Sequence, residues 1–104
     1  MAMKVEQMIN DRGNGAMNQF VISGNGKTVF QSYESTIIEV DEKKHVVKIF
    51  PEWDYSRTTG KHRNIFFRDY TPGSLYGLSN KASLLQAIKD GSYNTWTIKA
   101  VKGV

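Results

Sequence analysis

The stretch NQFVISGNGKTVFQS, residues 18–32, decides the fold class because two strand signals flank one turn signal. Residues 18–23 and 27–32 are rich in β-branched and aromatic side chains, which favour β-strands. Gly24, Asn25 and Gly26 between them tolerate the positive φ angles that a tight hairpin turn requires. The stretch therefore predicts a β-hairpin.

A second hairpin is predicted directly after the first. Residues 34–40 (ESTIIEV) and 45–50 (HVVKIF) are apolar and β-branched, and they flank the polar turn residues 41–44. Upstream, residues 4–10 alternate loosely and predict a first strand, whereas residues 11–18 predict a loop. Strands joined by short turns favour an antiparallel sheet.

The C-terminal quarter of the chain predicts one helix and a last strand. Ser79 or Asn80 caps a helix over residues 81–90, and Gly91 stands where a left-handed residue ends it. Residues 93–101 then alternate with period two, as a half-buried strand does. The predicted class is α+β, with a twisted antiparallel sheet of about five to six strands, two hairpins, and one C-terminal amphipathic helix before the final strand.

Composition restricts what this chain does. Its 104 residues, 39% of them hydrophobic, predict a single domain over residues 1–104 with one modest core. The absence of cysteine excludes disulfides, thiolate metal sites and a thiol nucleophile. No apolar run resembles a signal peptide or a membrane span, so a cytoplasmic location is expected. The net charge of +4 mildly favours anionic partners.

Motifs for catalysis, metals and cofactors are weak, so we predict a protein that is not an enzyme and has no metal or cofactor. Gly26, Lys27 and Thr28 end like a phosphate-binding loop, but position 21 is Val21 where that motif needs glycine. The two histidines, His45 and His62, lack a carboxylate at ligand spacing.

The stretch WDYSRTTGKHRNIFFRDY, residues 53–70, is the strongest candidate for a binding site, because cations alternate there with aromatic rings. Arginine, tryptophan and tyrosine are the residue types that dominate interfaces, and stacked rings with cations also suit nucleic-acid binding. Residues 56–61 in addition predict a short turn whose donors form an anion-binding nest. The candidate binding residues are Trp53, Tyr55, Ser56, Arg57, Thr58, Thr59, Lys61 and Arg63, with Tyr55, Arg57, Lys61 and Arg63 as the principal contacts.

A purely structural interpretation of the same stretch stays open at this point. Trp53, Phe66 and Phe67 are core residues in that interpretation, and Asp54 pairs with Arg57 within the loop. The remaining cations then form a solvated face.

The combination NQFVI, VFQSYESTI and WDYSRTTGK with Arg63, Asn64 and Phe66 resembles a family of short proteins of unknown function from bacteriophages and mobile elements of Gram-positive bacteria. The resemblance covers residues 15–67. It implies a small accessory protein without known catalysis, acting in the cytoplasm of the host bacterium. By analogy, such proteins often occupy a host defence component, such as a CRISPR nuclease.

Three functions follow as hypotheses. The first is a binding protein that inhibits a host defence or nucleic-acid-handling complex. The second is a nucleotide or phosphate-ligand sponge that uses residues 56–61, and the third is a direct single-stranded nucleic-acid binder. The edges of a small open sheet are also compatible with a homodimer.

Overall fold

The structure, a computed structural model, describes residues 3–101. Within them, seven strands form one sheet in the order β1-β2-β3-β4-β5-β7-β6. Neighbouring strands are antiparallel except for β5 and β7, which run parallel. The α+β class is confirmed. The strands are β1 Lys4–Ile9, β2 Gly15–Gly24, β3 Lys27–Ser32, β4 Ser35–Asp41, β5 Val46–Ile49, β6 Ser92–Tyr93 and β7 Trp96–Ala100.

The first predicted hairpin is β2–β3, and its turn has the expected chemistry. Gly24 pairs with Lys27, which leaves Asn25 and Gly26 as a two-residue turn with φ of 54° and 76°. Both angles are positive, as the turns that match the twist of a hairpin require. One detail differs from the prediction, because β2 begins at Gly15 and so shortens the predicted loop of residues 11–18.

The second predicted hairpin is β4–β5. The Asp41 carboxylate accepts hydrogen bonds from the backbone N–H groups of Lys43 and Lys44, at 3.1 and 3.0 Å, and so holds the turn. His45 has a φ of 53° and belongs to this turn, so the strand starts at Val46 rather than at His45. The last predicted strand is likewise divided into β6 and β7, because Asn94 takes a φ of 53° in a tight turn.

Two α-helices are described, α1 Arg57–Asp69 and α2 Lys81–Asp90, with the 3-10 helix Gly73–Leu78 between them. The prediction of α2 is confirmed, including the Asn80 cap and Gly91 in the left-handed conformation. The prediction of one helix is wrong, because α1 occupies the segment interpreted as a polar turn. Thr58, Thr59 and Gly60 are poor helix formers, but packing of the apolar face that follows outweighs propensity.

All three helices contribute to a core that covers one face of the sheet. This face carries the inward side chains of adjacent strands, since Val21 pairs with Phe30, Phe30 with Ile38, and Val47 with Ile98. The buried helical residues facing them are Ile65, Phe66, Phe67, Leu75, Leu78, Leu84 and Ala87. The core therefore fixes α1 against the middle of the sheet, and the N-terminal turn of α1 lies near the β3–β4 turn.

Gly77 in the 3-10 helix lies directly against the Tyr93 side chain, so an added Cβ atom would have to displace the tyrosine ring. A Cβ atom there would overlap the Tyr93 hydroxyl oxygen and lie 2.9 Å from its Cζ atom. We expect Gly77→Ala to lower the free energy of unfolding by about 1–3 kcal/mol, the usual cost of overpacking. Urea unfolding measures this cost, and Gly73→Ala is the matched control because no atom lies within 4 Å of its added carbon. Equal stability of the two variants would contradict the packing described here.

Candidate binding site

Residues 53–70 consist of a short loop followed by α1. The Trp53 N–H donates to the Phe50 carbonyl oxygen and the Tyr55 N–H donates to the Glu52 carbonyl oxygen, at 3.1 Å each. The loop is therefore a pair of consecutive turns. Ser56 then caps the helix, and its hydroxyl oxygen accepts the Thr59 N–H at 3.1 Å. The side chains of the stretch thus follow helical spacing, which divides them between a buried and an exposed face.

Arg63 lies on the buried face, with 2% of its surface exposed. Its Nη1 atom donates to the Trp53 carbonyl oxygen at 2.8 Å, and its guanidinium carbon lies 5.3 Å from the centre of the Trp53 ring. The prediction that Arg63 is displayed as a principal contact is therefore wrong. Thr59 is also buried, and its hydroxyl is 3.1 Å from that of Ser32. The predicted core positions Phe66 and Phe67 are confirmed.

Asp54 is the acidic partner of this buried arginine, but it does not pair with Arg57 as the structural interpretation predicted. Its Oδ2 atom lies 2.6 Å from Lys81 Nζ, and its Oδ1 atom lies 3.5 Å from Arg63 Nη1. The hydrogen bond from Lys81 and the charge of Lys81, and after them the charge of Arg63, hold the pKa of Asp54 below its usual value. Burial lowers the pKa of Arg63, and Asp54 partly opposes that effect. Asp54 thus links the loop to α2.

The exposed face of α1 carries a row of polar side chains, three of them cations, which we call the cationic stripe: Arg57, Lys61, Asn64 and Arg68. These positions are spaced by four, three and four residues, so they fall within roughly 60° of one another around the helix. They line a hollow of about 370 Å³ together with Asp11, Ile65 and Ser79. The predicted contacts Arg57 and Lys61 therefore lie side by side on a surface.

Charges in the cationic stripe are not equally available. Arg68 lies 2.6 Å from Asp11 and 2.8 Å from Asp69, and these two carboxylates raise its pKa, Asp69 more strongly. Arg57 and Lys61, in contrast, form no ion pair with any residue of the range 3–101. The two cations nearest the start of α1 are therefore free to meet an external anion. Asn64 and Arg68 were missing from the predicted site, and a recognised helix at this position would have revealed them.

A second, larger hollow lies beside the first turn of α1, and we call it the hydroxyl cleft. Its volume is about 740 Å³. The predicted binding residues Tyr55, Ser56, Thr58 and Thr59 line it, whereas its acidic residues Glu34 and Glu52 were not predicted. The remaining lining residues are Asn18, Ser32, Tyr33, Ser35 and Ile37.

The anion nest predicted for residues 56–61 does not exist as a turn, because this segment is the start of α1. Two of its donors are already used, since the Thr59 N–H reaches the Ser56 hydroxyl and the Gly60 N–H reaches the Ser56 carbonyl. Among residues 3–101, no three metal-ligating side chains lie together. His45 instead stacks on Trp96, with 4.3 Å between ring centres, and His62 is a buried residue of α1.

Residues 3–80 match the family model described as "Family of unknown function (DUF8033)". The chain belongs to this family. No curated protein and no solved structure matches the chain significantly.

The DUF8033 match includes both candidate surfaces. Every residue that lines the hollow of the cationic stripe or the hydroxyl cleft lies between positions 11 and 79. The matched region ends before helix α2 and before β6 and β7, the two strands that complete the sheet. In the part of the chain that the structure describes, no helix has the length and apolar character needed to span a membrane.

Proposed function

We propose that this protein is a non-enzymatic binding protein whose cationic stripe docks onto an acidic surface of a host nucleic-acid-handling or defence complex. The observation that carries the proposal is the pair Arg57 and Lys61, exposed without an ion-pair partner among the described residues and on one face of α1. The sequence resemblance to phage and mobile-element proteins supports the host complex, such as a CRISPR nuclease, as the target.

The geometry of α1 suits a row of negative charges. A helix rises 1.5 Å per residue, so Arg57 and Lys61 are roughly 6 Å apart along the axis and the whole stripe spans roughly 16 Å. Arginine binds phosphate or carboxylate oxygens with a planar fork, and lysine adds a point charge. The stripe therefore engages two or three neighbouring anionic groups.

Replacing the two free cations tests the proposal. We expect Arg57→Ala with Lys61→Ala to weaken binding to the host complex by at least about tenfold, because each charge-assisted hydrogen bond contributes about 1.5–3 kcal/mol. Capture from host lysate by tagged wild-type and variant proteins identifies the target, and titration of that target measures the affinity. Thermal unfolding should be unchanged, because both side chains are exposed.

The matched control is Lys44→Ala with Lys89→Ala, which removes the same charge from exposed positions outside the stripe. We expect this variant to bind like the wild type. If the Arg57 and Lys61 variant keeps full binding, or if the control loses as much, the assignment of the stripe is wrong.

Direct binding of nucleic acid or of a phosphate ligand is the second candidate, since the hollow of about 370 Å³ has two free cations and the Asn64 amide at its edge. Titrations with single-stranded nucleic acid and with nucleotides separate direct nucleic-acid binding from binding of a phosphate ligand. Two neutralised phosphates predict about a tenfold loss of affinity between 50 and 200 mM salt. A nucleotide bound at a hundred times its Kd instead raises the free energy of unfolding by about 2.7 kcal/mol.

A further inference from the structure

The hydroxyl cleft is separate from the cationic stripe and has the opposite charge. Its lining contains two carboxylates, Glu34 and Glu52, and no lysine or arginine. Neither carboxylate forms an ion pair with another residue of the range 3–101. Ser35 donates to Glu52 Oε2 at 2.5 Å, which fixes this carboxylate at the cleft. A protein of net charge +4 thus keeps one concave region that attracts cations.

Two tyrosines stand at this acidic region. Tyr33 is 52% exposed and Tyr55 is 73% exposed, so both rings present apolar faces to solvent. Tyr33 adopts a φ of 55°, an uncommon conformation for an aromatic residue, and its N–H donates to the Asn18 carbonyl at 2.7 Å. Tyrosine rings attract ammonium and guanidinium groups through the negative potential of their faces. The rings and carboxylates together suit an organic cation.

The end of the cleft that α1 forms favours negatively charged or acceptor groups rather than cations. The first two N–H groups of the helix, at Arg57 and Thr58, have no hydrogen-bond partner among the described residues. They carry the positive end of the helix dipole, which favours a carbonyl or carboxylate oxygen. A ligand with two cationic ends would therefore be repelled at this end. The cleft fits a ligand with a cation at one end and an acceptor at the other.

A buried amide without a hydrogen-bond partner lies next to Ser32, one of the residues that line the cleft. Gln19 is 0% exposed, and neither its Oε1 nor its Nε2 atom has a hydrogen-bond partner within residues 3–101. Gln19 pairs in register with Ser32, which lines the cleft, so the two side chains share one face of the sheet. A buried polar group without a partner is costly, and a hydrophobic residue would fill a merely structural position better.

We propose that the hydroxyl cleft binds a basic amino acid, free or as a residue of a peptide. The ammonium or guanidinium group lies at Glu34 and Glu52 between the two tyrosines, and the carbonyl or carboxylate lies at the start of α1. The cleft volume of about 740 Å³ is within the usual range for small-ligand sites. This site is independent of the cationic stripe and of the proposed function.

The test is a titration followed by amide NMR, with three probes. Free L-arginine and arginine capped as an acetyl methylamide both carry a cation and an acceptor, whereas spermidine carries only cations. We expect at least one arginine probe to shift the amides of Ser35, Ser56 and Thr58 and the side-chain amide of Gln19. Binding of the capped form identifies a peptide residue as the ligand, and binding of only the free form identifies the amino acid.

Matched variants complete the test. Glu34→Gln with Glu52→Gln should weaken arginine binding by about tenfold or more, because each lost charge-assisted hydrogen bond contributes about 1.5–3 kcal/mol. Glu6→Gln with Glu42→Gln makes the same charge change at exposed residues outside the cleft and should leave binding unchanged. Lys61→Ala, which removes a charge from the stripe without touching the cleft lining, should also leave it unchanged and so separates this site from the stripe.

Three outcomes overturn the proposal. The first is no shift with either arginine probe at about 10 mM, where even a ligand with a Kd of about 1 mM is mostly bound. The second is spermidine binding as tightly as arginine, because the acceptor end would then contribute nothing. The third is equal weakening by the cleft variant and its charge-matched control.

Discussion

Arg63→Ala is expected to lower the free energy of unfolding by about 3 kcal/mol. Removing a buried, hydrogen-bonded charged group leaves its buried partners without a hydrogen bond, which is costly. The substitution leaves the Trp53 carbonyl without its 2.8 Å donor and leaves a cavity beneath α1. It also removes the guanidinium from the Trp53 ring. Asp54 keeps Lys81 as its partner, so its charge is not stranded.

The matched control for this prediction is Arg57→Ala, which makes the same chemical change six residues earlier in the same helix. Arg57 is exposed, and its removal should change stability by no more than about 0.5 kcal/mol. Arg63→Lys should also destabilise, since lysine keeps the charge but loses the planar fork. Urea unfolding of the three variants gives the comparison. Equal stability of the two alanine variants would show that Arg63 has no structural role.

Phe66→Ala is expected to have the largest effect on stability, about 3–5 kcal/mol, which is the usual cost of removing a buried phenylalanine. Phe66 is 0% exposed and lies where α1 meets the sheet. Its ring stacks on Phe30 and meets Phe67 edge-on, with 5.6 Å between ring centres in each case. A loss of this size is a large fraction of the 5–15 kcal/mol that typically stabilises a domain.

Phe66→Leu provides the comparison, because leucine keeps part of the buried volume and should cost less than alanine. Thermal unfolding measures both variants, and the alanine variant should melt roughly 15 °C or more below the wild type. If alanine and leucine are tolerated equally well, α1 does not depend on this contact for its position.

Local chemistry made the β-hairpins predictable from sequence. Asn25 and Gly26 tolerate positive φ, and the flanking residues alternate or branch at Cβ, so the pattern and the turn agree. Helix α1 was not predictable in the same way. Its first turn contains Thr58, Thr59 and Gly60, and its stability comes from contacts with a sheet that the local sequence does not show.

The candidate site was only partly predictable for a related reason. Arg57, Lys61 and Arg63 are alike in residue type, and only the helical spacing separates the exposed pair from the buried residue. Glu34 and Glu52 belong to different parts of the chain and meet only because the sheet places the β3–β4 turn beside the start of α1. Such a meeting depends on tertiary structure.

The parallel pairing of β5 with β7 determines the order in which the strands can pair while the chain is being synthesised. Val47 and Ile98 are partners about fifty residues apart, whereas β1 to β5 pair with their immediate neighbours in sequence. On the ribosome, the first five strands can therefore associate early, but β5 keeps an unpaired row of N–H and C=O groups until β7 emerges from the exit tunnel. During that interval the nascent chain has an exposed strand edge, and a strand of a second nascent chain can pair with it in place of β7.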